Sequence, residues 1–488
     1  MKNTEYIKQQ TNELTKFFAD FDKHCSLSKS EKNKMKSDFE KAISYYSTVG
    51  ISQEKALELL SIRNLGDFYE KPIKRWFALD DAAKLYPLSM ERGRMSTGRL
   101  AVYLKEDVVP ELLQMALNFT IKRFPSFAVT LKKGFFWHYL DMTNRRFYIE
   151  PETEIPCTPI KISQSGSQAF RIFYYKNRIS MEMFHALSDG LGSVYLIKSL
   201  VAEYLRLTGK EIILDETVFN INDIPSDEEY ENAFEKVPLK GSVLAAVRKP
   251  ALQMGGKLAR NKPCRIVHLK INAAELKAVC RKYHTTVARY FLALIFVAAK
   301  TLIDKSDGDI NIQVPVNLRG FYPSKTLRNF VLPCGICLPI EAINDVDTII
   351  TEINKQMKTK TSKEAMSELI ASTKKLINMV KYVPLSLKQP AAKIGYGFLG
   401  DKAYTTILSD LGVVRMPQSI SEHIESMDAI IGPAITQRAR CVAVTFNNTT
   451  TLSITKATAD SSFEEKIYEL LCADKVSVTV EGSEKYGD

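Results

Sequence analysis

The hydrophobic period of the chain changes across residues 184–190, and this switch constrains the fold more than any other feature. Ile179 to Phe184 reads as a strand. Past Gly190, Val194, Ile197, Val201, Tyr204 and Leu205 fall on one face of a helix, which Gly209 ends. Between the two lies the loop His185-Ala186-Leu187-Ser188-Asp189-Gly190. A strand feeding a helix through a short loop belongs to a fold in which sheets carry helices.

The pattern recurs on both sides of this point. Arg99 to Leu104 reads as a strand. Asp107 to Phe124 reads as a helix, with Val109, Leu112, Leu113, Ala116, Leu117 and Ile121 on one face and Asp107 placed to cap it. Phe127 to Leu131 and Phe135 to Leu140 form a strand pair about Lys132-Lys133-Gly134, and Phe170 to Tyr175 pairs with the strand that leads to His185. The second half repeats the outline. It opens with a strand from Ile266 to Ile271 and helices over Asn272–Tyr283 and His284–Ile303. Strands follow at Ile310–Pro315, Cys334–Ile340, Thr405–Leu408, Cys441–Phe446 and Thr451–Thr455, then a last helix from Phe463 to Cys472.

With 488 residues, one core cannot serve the whole chain. The expected fold class is α+β, as two-layer α/β sandwiches: residues 71–215 and 263–488, joined by a crossover at 216–262 whose composition turns from acidic to basic. Residues 1–70 form an N-terminal helical extension. Phe17, Phe18 and Phe21, then Ala42, Tyr45 and Tyr46, then Ala56, Leu57 and Leu60 recur at helical spacing, and Ser52 stands at a helix start. This extension carries no chemical motif; it caps the main body or holds a partner.

The formal net charge is +11. A basic excess fits nucleic acid, an anionic membrane surface or a phosphorylated small molecule. No zinc-finger spacing, repeat module or lysine-rich low-complexity arm accompanies it, which argues against nucleic acid. Lys240, Arg248, Lys249, Lys257, Arg260, Lys262 and Arg265 gather around the crossover. The N-terminus has no apolar signal region, so a cytoplasmic location is expected. The longest apolar run, Tyr290 to Ala299, falls well short of the ~20 residues that span a bilayer and reads as a buried core helix. The eight cysteines are scattered. Cys334-Gly335-Ile336-Cys337 has CxxC spacing but no second pair, and it sits in an alternating strand pattern, so it reads as structural, with no metal site expected.

Chemistry concentrates in the loop at 185–190. Histidine is the side chain best suited to proton transfer near neutral pH, and a strand–loop–helix junction holds such a group on rigid support. Asp189, beside the start of the next helix, is placed to accept backbone N–H bonds or to hold an arginine. Gly190 permits a backbone conformation closed to other residues. A satisfied core histidine is the plain alternative. There is no GxSxG elbow, P-loop or HExxH, so no covalent nucleophile is implied.

His185 to Gly190 resembles the HxxxDG motif of the chloramphenicol acetyltransferase-like superfamily, which includes carnitine acyltransferases, plant BAHD acyltransferases, peptide-synthetase condensation domains, wax ester synthases and alcohol acetyltransferases. Val314-Pro315-Val316-Asn317-Leu318-Arg319 resembles the strand end that carries an arginine facing the motif aspartate. Leu408-Ser409-Asp410-Leu411-Gly412-Val413-Val414 resembles the Ser-Asn-Leu-Gly stretch of alcohol acetyltransferase-like proteins. Asp410 stands where Asn is more usual, and an ionised carboxylate accepts hydrogen bonds without donating them. The likeness begins at about Trp76 and leaves the first seventy residues outside.

The resemblance implies two chloramphenicol acetyltransferase-like domains with a tunnel between them, and an acyltransferase that uses His185 as general base. Asp189 and Arg319 are expected as a structural ion pair. Asn317, Ser409 and the Gly190 N–H are candidates around the oxyanion, each beside a plain turn or cap role. Acyl-CoA is the implied co-substrate, with a small-molecule acceptor and no permanently bound cofactor. An O-acyltransferase of the alcohol acetyltransferase type leads. A condensation-type enzyme fed by an acyl carrier protein and a catalytically silent binding protein are the alternatives. The basic crossover would then meet the phosphates of coenzyme A, an acidic carrier protein or, through peripheral contact, an anionic membrane.

Overall fold

The computed structural model describes residues 2–70, 75–90, 95–152, 155–160, 168–238, 250–259, 265–399, 401–432 and 436–482. The amphipathic N-terminal segment folds as α1 (Lys2–His24), α2 (Lys29–Thr48) and α3 (Gln53–Leu59). Ser28 and Ser52 cap α2 and α3 by accepting the N–H of Glu31 and Lys55, orphan donors of a first helical turn. The segment shares the core of the first half. Phe39 packs against Phe119 at 6.1 Å, and the Tyr46 hydroxyl donates to the Leu207 carbonyl at 2.6 Å. Buried Asp38 accepts two bonds from Arg146, at 2.6 and 2.7 Å, and one from Asn118 at 3.1 Å.

The first half holds two sheets. β1 (Trp76–Ala78), β3 (Val129–Lys133) and β4 (His138–Met142) form one, in the order β1-β4-β3. β2 (Thr97–Leu104), β5 (Ile149–Pro151), β6 (Phe170–Tyr175) and β7 (Arg178–Phe184) belong to the other. Its helices are α4 (Leu85–Ser89), α5 (Pro110–Thr120) and α6 (Gly190–Leu207). Two local expectations are corrected. Asp107 caps nothing: α5 starts at Pro110, whose missing N–H suits a first helical position, behind Val109. The N–H of Val109 donates to the Tyr204 hydroxyl at 2.9 Å instead. The hairpin strands start later than expected, because the Gly134 N–H bonds the Trp137 carbonyl and puts Phe135 and Phe136 at the tip.

The second half runs β8 (Arg265–Asn272), α7 (Ala273–Lys282), α8 (Val287–Lys300), β9 (Asp309–Asn317), β10 (Val331–Pro339), α9 (Val346–Lys360), α10 (Lys363–Met379), α11 (Leu385–Leu399), β11 (Thr406–Val414), α12 (Gln418–Ser421), β12 (Ile424–Ile431), β13 (Ala439–Phe446), β14 (Thr449–Lys456), α13 (Ser462–Ala473) and β15 (Val478–Gly482). Its sheet has the order β10-β9-β11-β13-β14-β8-β15. The apolar run at Tyr290–Ala299 lies inside α8 and is almost wholly buried. Cys334 and Cys337 sit on β10, three residues apart and so on opposite faces of the strand, which is no geometry for one metal ion.

Two features of this topology shape the site. Strand β12 leaves its own half and pairs antiparallel with β2, completing the first half's larger sheet in the order β12-β2-β7-β6-β5. The two halves are therefore joined by a shared sheet as well as by the crossover. The second feature is a gap that opens within the seven-stranded sheet. β9 and β11 pair in parallel only at Ile312–Thr406 and Gln313–Ile407. Two residues further on, β9 presents Pro315, which has no N–H, while β11 bulges between Asp410 and Val413 with Gly412 at a φ of +70°. The ladder ends there and the strands diverge. Of the basic crossover cluster, Lys240, Arg248, Lys249, Arg260 and Lys262 lie outside the described residues; Arg265 opens β8 and Lys257 is exposed.

Candidate active site

A cleft of about 640 Å³ occupies this gap. One wall comes from the first half: His185, Gly190, Leu191, Val194, Tyr195 and Lys198. The other comes from β9 and β11, with Pro315, Asn317, Ser409, Asp410, Leu411 and Val413. His185 follows the last residue of β7, a central strand, and is half-buried. Its own N–H donates to the Ser96 carbonyl at 2.9 Å. Tyr86, from α4, stacks on the imidazole with centroids 4.7 Å apart.

Asn329 grips His185 at two points. Its side-chain N–H donates to the His185 carbonyl oxygen at 2.9 Å, and its Oδ1 lies 3.0 Å from His185 Nδ1. A carbonyl only accepts, so the amide nitrogen of Asn329 must face it, and the amide oxygen is left for the ring. Nδ1 must then carry the hydrogen, and in the neutral ring Nε2 keeps its lone pair. Asn329 is fully buried and leans on Asp80, 3.5 Å from its amide nitrogen. Asp80 accepts the Ala83 N–H at 2.7 Å and faces Arg328 at 3.6 Å. Burial raises the Asp80 carboxyl and lowers the Arg328 guanidinium, each against the pull of the other. Desolvation outweighs attraction in this pair.

Asp189 lines the cleft, but both its carboxylate oxygens are engaged by groups of the protein. Its Oδ1 caps α6, accepting from Leu191 at 3.1 Å and Gly192 at 3.4 Å. Its Oδ2 accepts from Arg319 at 2.7 Å and from the Phe330 N–H at 2.9 Å. Arg319 spends its other donors on the carbonyls of Thr326 and Arg328 and on Asn317 Oδ1. The Ser188 hydroxyl donates to the Leu327 carbonyl at 2.5 Å. Residues 326–330 thus form a platform that holds the loop at 185–190 from below at each of its polar positions.

Gly190 serves a different purpose from the one expected. Gly190 has no positive φ; it is the first residue of α6, and a Cβ there would meet Leu411 Cδ2 at 2.5 Å. At Gly192 a Cβ would fall 2.1 Å from Ser188 Oγ and 2.2 Å from the Leu327 carbonyl oxygen. Close approach, not backbone freedom, selects glycine here.

Asn317 and Ser409 both line the cleft, with a limit on the first. The Asn317 Oδ1 accepts the Arg319 N–H at 3.1 Å and Arg319 Nη1 at 3.2 Å, so only its amide N–H groups are left to face a ligand. Asp410 reaches the water of the cleft, yet the surrounding walls raise its carboxyl despite the Gly412 N–H it accepts at 2.8 Å. Lys198, buried at the cleft's inner wall, donates to the Thr217 and Arg415 carbonyls, and burial pushes its ammonium down to about 8. Asn329, Asp80, Tyr86 and Arg328 were missed in the sequence. For Arg328 and Asn329 the signal was a polar pair between Leu327 and Phe330, just before a strand.

No family model matches the chain, and no curated protein matches it in sequence. Solved structures do match it in shape. The TRI3 trichothecene 15-O-acetyltransferase of Fusarium sporotrichioides is 12% identical, with a TM-score of 0.56 over 83% of this chain and 96% of that one. A second F. sporotrichioides protein, solved with coenzyme A and T-2, is 10% identical, with a TM-score of 0.56 over 83% of this chain and 99% of that one. The first condensation domain of the calcium-dependent antibiotic synthetase is 12% identical, with a TM-score of 0.54 over 83% and 99%. The chain has the α+β fold of these acetyltransferase and condensation-domain structures.

Proposed function

We propose that this protein is an acyltransferase that moves an acyl group from a coenzyme A thioester to a hydroxyl-bearing acceptor, with His185 as general base. The observation that carries the reading is the two-point hold of Asn329 on His185 beside a cleft walled by both halves of the chain. A base must present one defined lone pair, and this hold leaves that lone pair on Nε2.

The acceptor O–H gives its proton to Nε2. The oxygen attacks the thioester carbonyl carbon, and a C–O bond forms as the carbonyl becomes an oxyanion. When the oxyanion collapses, the C–S bond breaks and the proton passes from Nε2 to the departing sulfur. The products are an ester and free thiol. General-base help of this kind supplies typically 10²–10⁴-fold, and holding both substrates in one cleft supplies much of the rest. The Ser409 hydroxyl and the Asn317 amide N–H, both on the β9–β11 wall, are the proposed donors to the oxyanion, where one donor is worth about 10²–10³-fold in kcat. Asp189 and Arg319 hold the loop and take no part in the proton's path.

The experiment is to incubate the purified chain with acetyl-CoA and longer acyl-CoA donors and a panel of alcohols, following free thiol. Thiol release that needs an alcohol and is lost in His185→Ala supports the reading. Release equal in His185→Ala overturns the base. The fold likeness to a condensation domain gives a carrier-bound donor its own arm: turnover only with an acyl carrier protein would reassign the donor.

A further inference from the structure

Residues 369–400 contain five lysines and no aspartate or glutamate. This stretch covers most of α10, the turn at 380–384 and α11. On it, Leu376, Met379, Tyr382 and Leu387 are 50%, 64%, 72% and 66% exposed. The β3–β4 hairpin tip meets this turn and adds Phe135, 73% exposed. The two segments lie far apart in sequence but are built as one surface. Phe136 sits 5.9 Å from Tyr382, edge to face, and 4.8 Å from Phe135. The Leu385 N–H donates to the Phe135 carbonyl at 2.9 Å, and Lys388 donates to the Phe136 carbonyl at 2.8 Å. Hydrogen bonds to the backbone thus hold the aromatic tip out beside the helix turn, where no described residue covers it.

Single exposed apolar side chains need no explanation, but five large ones on adjoining turns mark a contact surface. The charge around them selects the partner. Lys133, Lys375 and Lys381 are exposed among these residues, and Lys374 is half-buried there. Asp141, on the hairpin, is paired with Lys132. In a two-fold dimer this face would meet its own lysines, a like-charge arrangement that costs affinity. An anionic bilayer offers the complement: phosphates for the lysines and a shallow apolar layer for the aromatic and aliphatic tips. No described helix is long and apolar enough to cross a membrane, so the contact is interfacial.

We infer that the surface formed by the hairpin tip at Phe135 and Phe136 and the α10–α11 turn at Leu376 to Leu387 docks the protein on an anionic lipid membrane. This rests on no element of the acyl-transfer reading. α11 packs on α4, whose Tyr86 covers His185, so the docked face is one helix removed from the cleft's histidine.

The test is co-sedimentation of the full chain with phosphatidylcholine vesicles with and without phosphatidylglycerol. Binding is expected to phosphatidylglycerol vesicles only, and to weaken as salt rises. The double variant Tyr382→Ser/Leu387→Ser is expected to bind at least about tenfold more weakly, and Lys375→Glu/Lys381→Glu likewise. These side chains are exposed, so circular dichroism matching the parent is expected for both. No binding to phosphatidylglycerol vesicles, or variants that bind as the parent does, overturns the inference. A concentration-dependent dimer lost in the same variants also overturns it and assigns the surface to a second copy.

Discussion

Asn329 holds His185 by its ring and by its backbone at once, through a 3.0 Å contact to Nδ1 and a 2.9 Å bond to the carbonyl oxygen. A single amide therefore sets both the tautomer of the imidazole and the angle at which the loop leaves β7. Asn329→Ala is expected to lower kcat about 100-fold with a smaller change in KM, because a base displaced by a fraction of a bond length loses the alignment it supplies. Asn329→Asp keeps an acceptor at Nδ1 but places a carboxylate beside the ring. This favours the protonated ring, so the acid limb of the pH–rate profile is expected to move to higher pH. A variant that lost stability alone would keep the limb where it is.

Asp189 and Arg319 meet at 2.7 Å with almost no access to water. Breaking a buried pair from one side strands the other charge, at about 3–5 kcal/mol. Asp189→Ala and Arg319→Ala are each expected to lose stability on that scale in urea unfolding. The double variant is expected to lose much less than the sum, and additive losses would remove the coupling.

The two loop glycines differ in what blocks a side chain. At Gly192 one obstacle is a backbone carbonyl, which cannot turn aside; at Gly190 it is the far end of a leucine. Gly192→Ala is expected to destabilise the protein by several kcal/mol or to prevent folding. Gly190→Ala is expected to cost about 1–3 kcal/mol, and Leu411→Ala in the same chain to restore some of it. Thermal unfolding of the three variants checks the order.

His138 lies buried on β4. Burial, with the charge of Lys133 adding to it, lowers its imidazole to about 4, and among the described residues no partner meets its Nε2. The unfolded chain protonates this histidine near pH 6.5 and the folded chain only near 4. Between these values the unfolded state holds more protons, so stability falls as pH drops from 6.5 to 4, by roughly 3 kcal/mol at most. Above 6.5 the group contributes nothing. His138→Gln is expected to flatten that region of the stability–pH curve relative to the parent.

Much of the fold was legible because local rules decide it. The strand Phe170–Tyr175 and the helix after Gly190 follow from the period of their apolar residues. The caps at Ser52 and Asp189 follow from a short acceptor before a helix. Other elements were hidden. In α10, Leu376 and Met379 face outward, so its apolar residues do not trace one buried stripe. β15 is an edge strand with a mostly exposed pattern and gives no alternation to read. β12 has an apolar run, but nothing local says that its partner is β2, more than three hundred residues away.

What the chain alone determined was the set of groups at the loop between a strand and a helix: an imidazole, a capping carboxylate and the glycine that follows it. Those depend on residue type and on neighbours a few positions away. Only the tertiary structure decided which nitrogen of His185 is basic, because the amide that settles it arrives from residue 329. Only it opened a cleft, because Pro315 and the bulge at Gly412 separate a pair of strands that the sequence does not show to be neighbours. Contacts of that kind join residues by distance in space, and distance in space is what a single sequence leaves unstated.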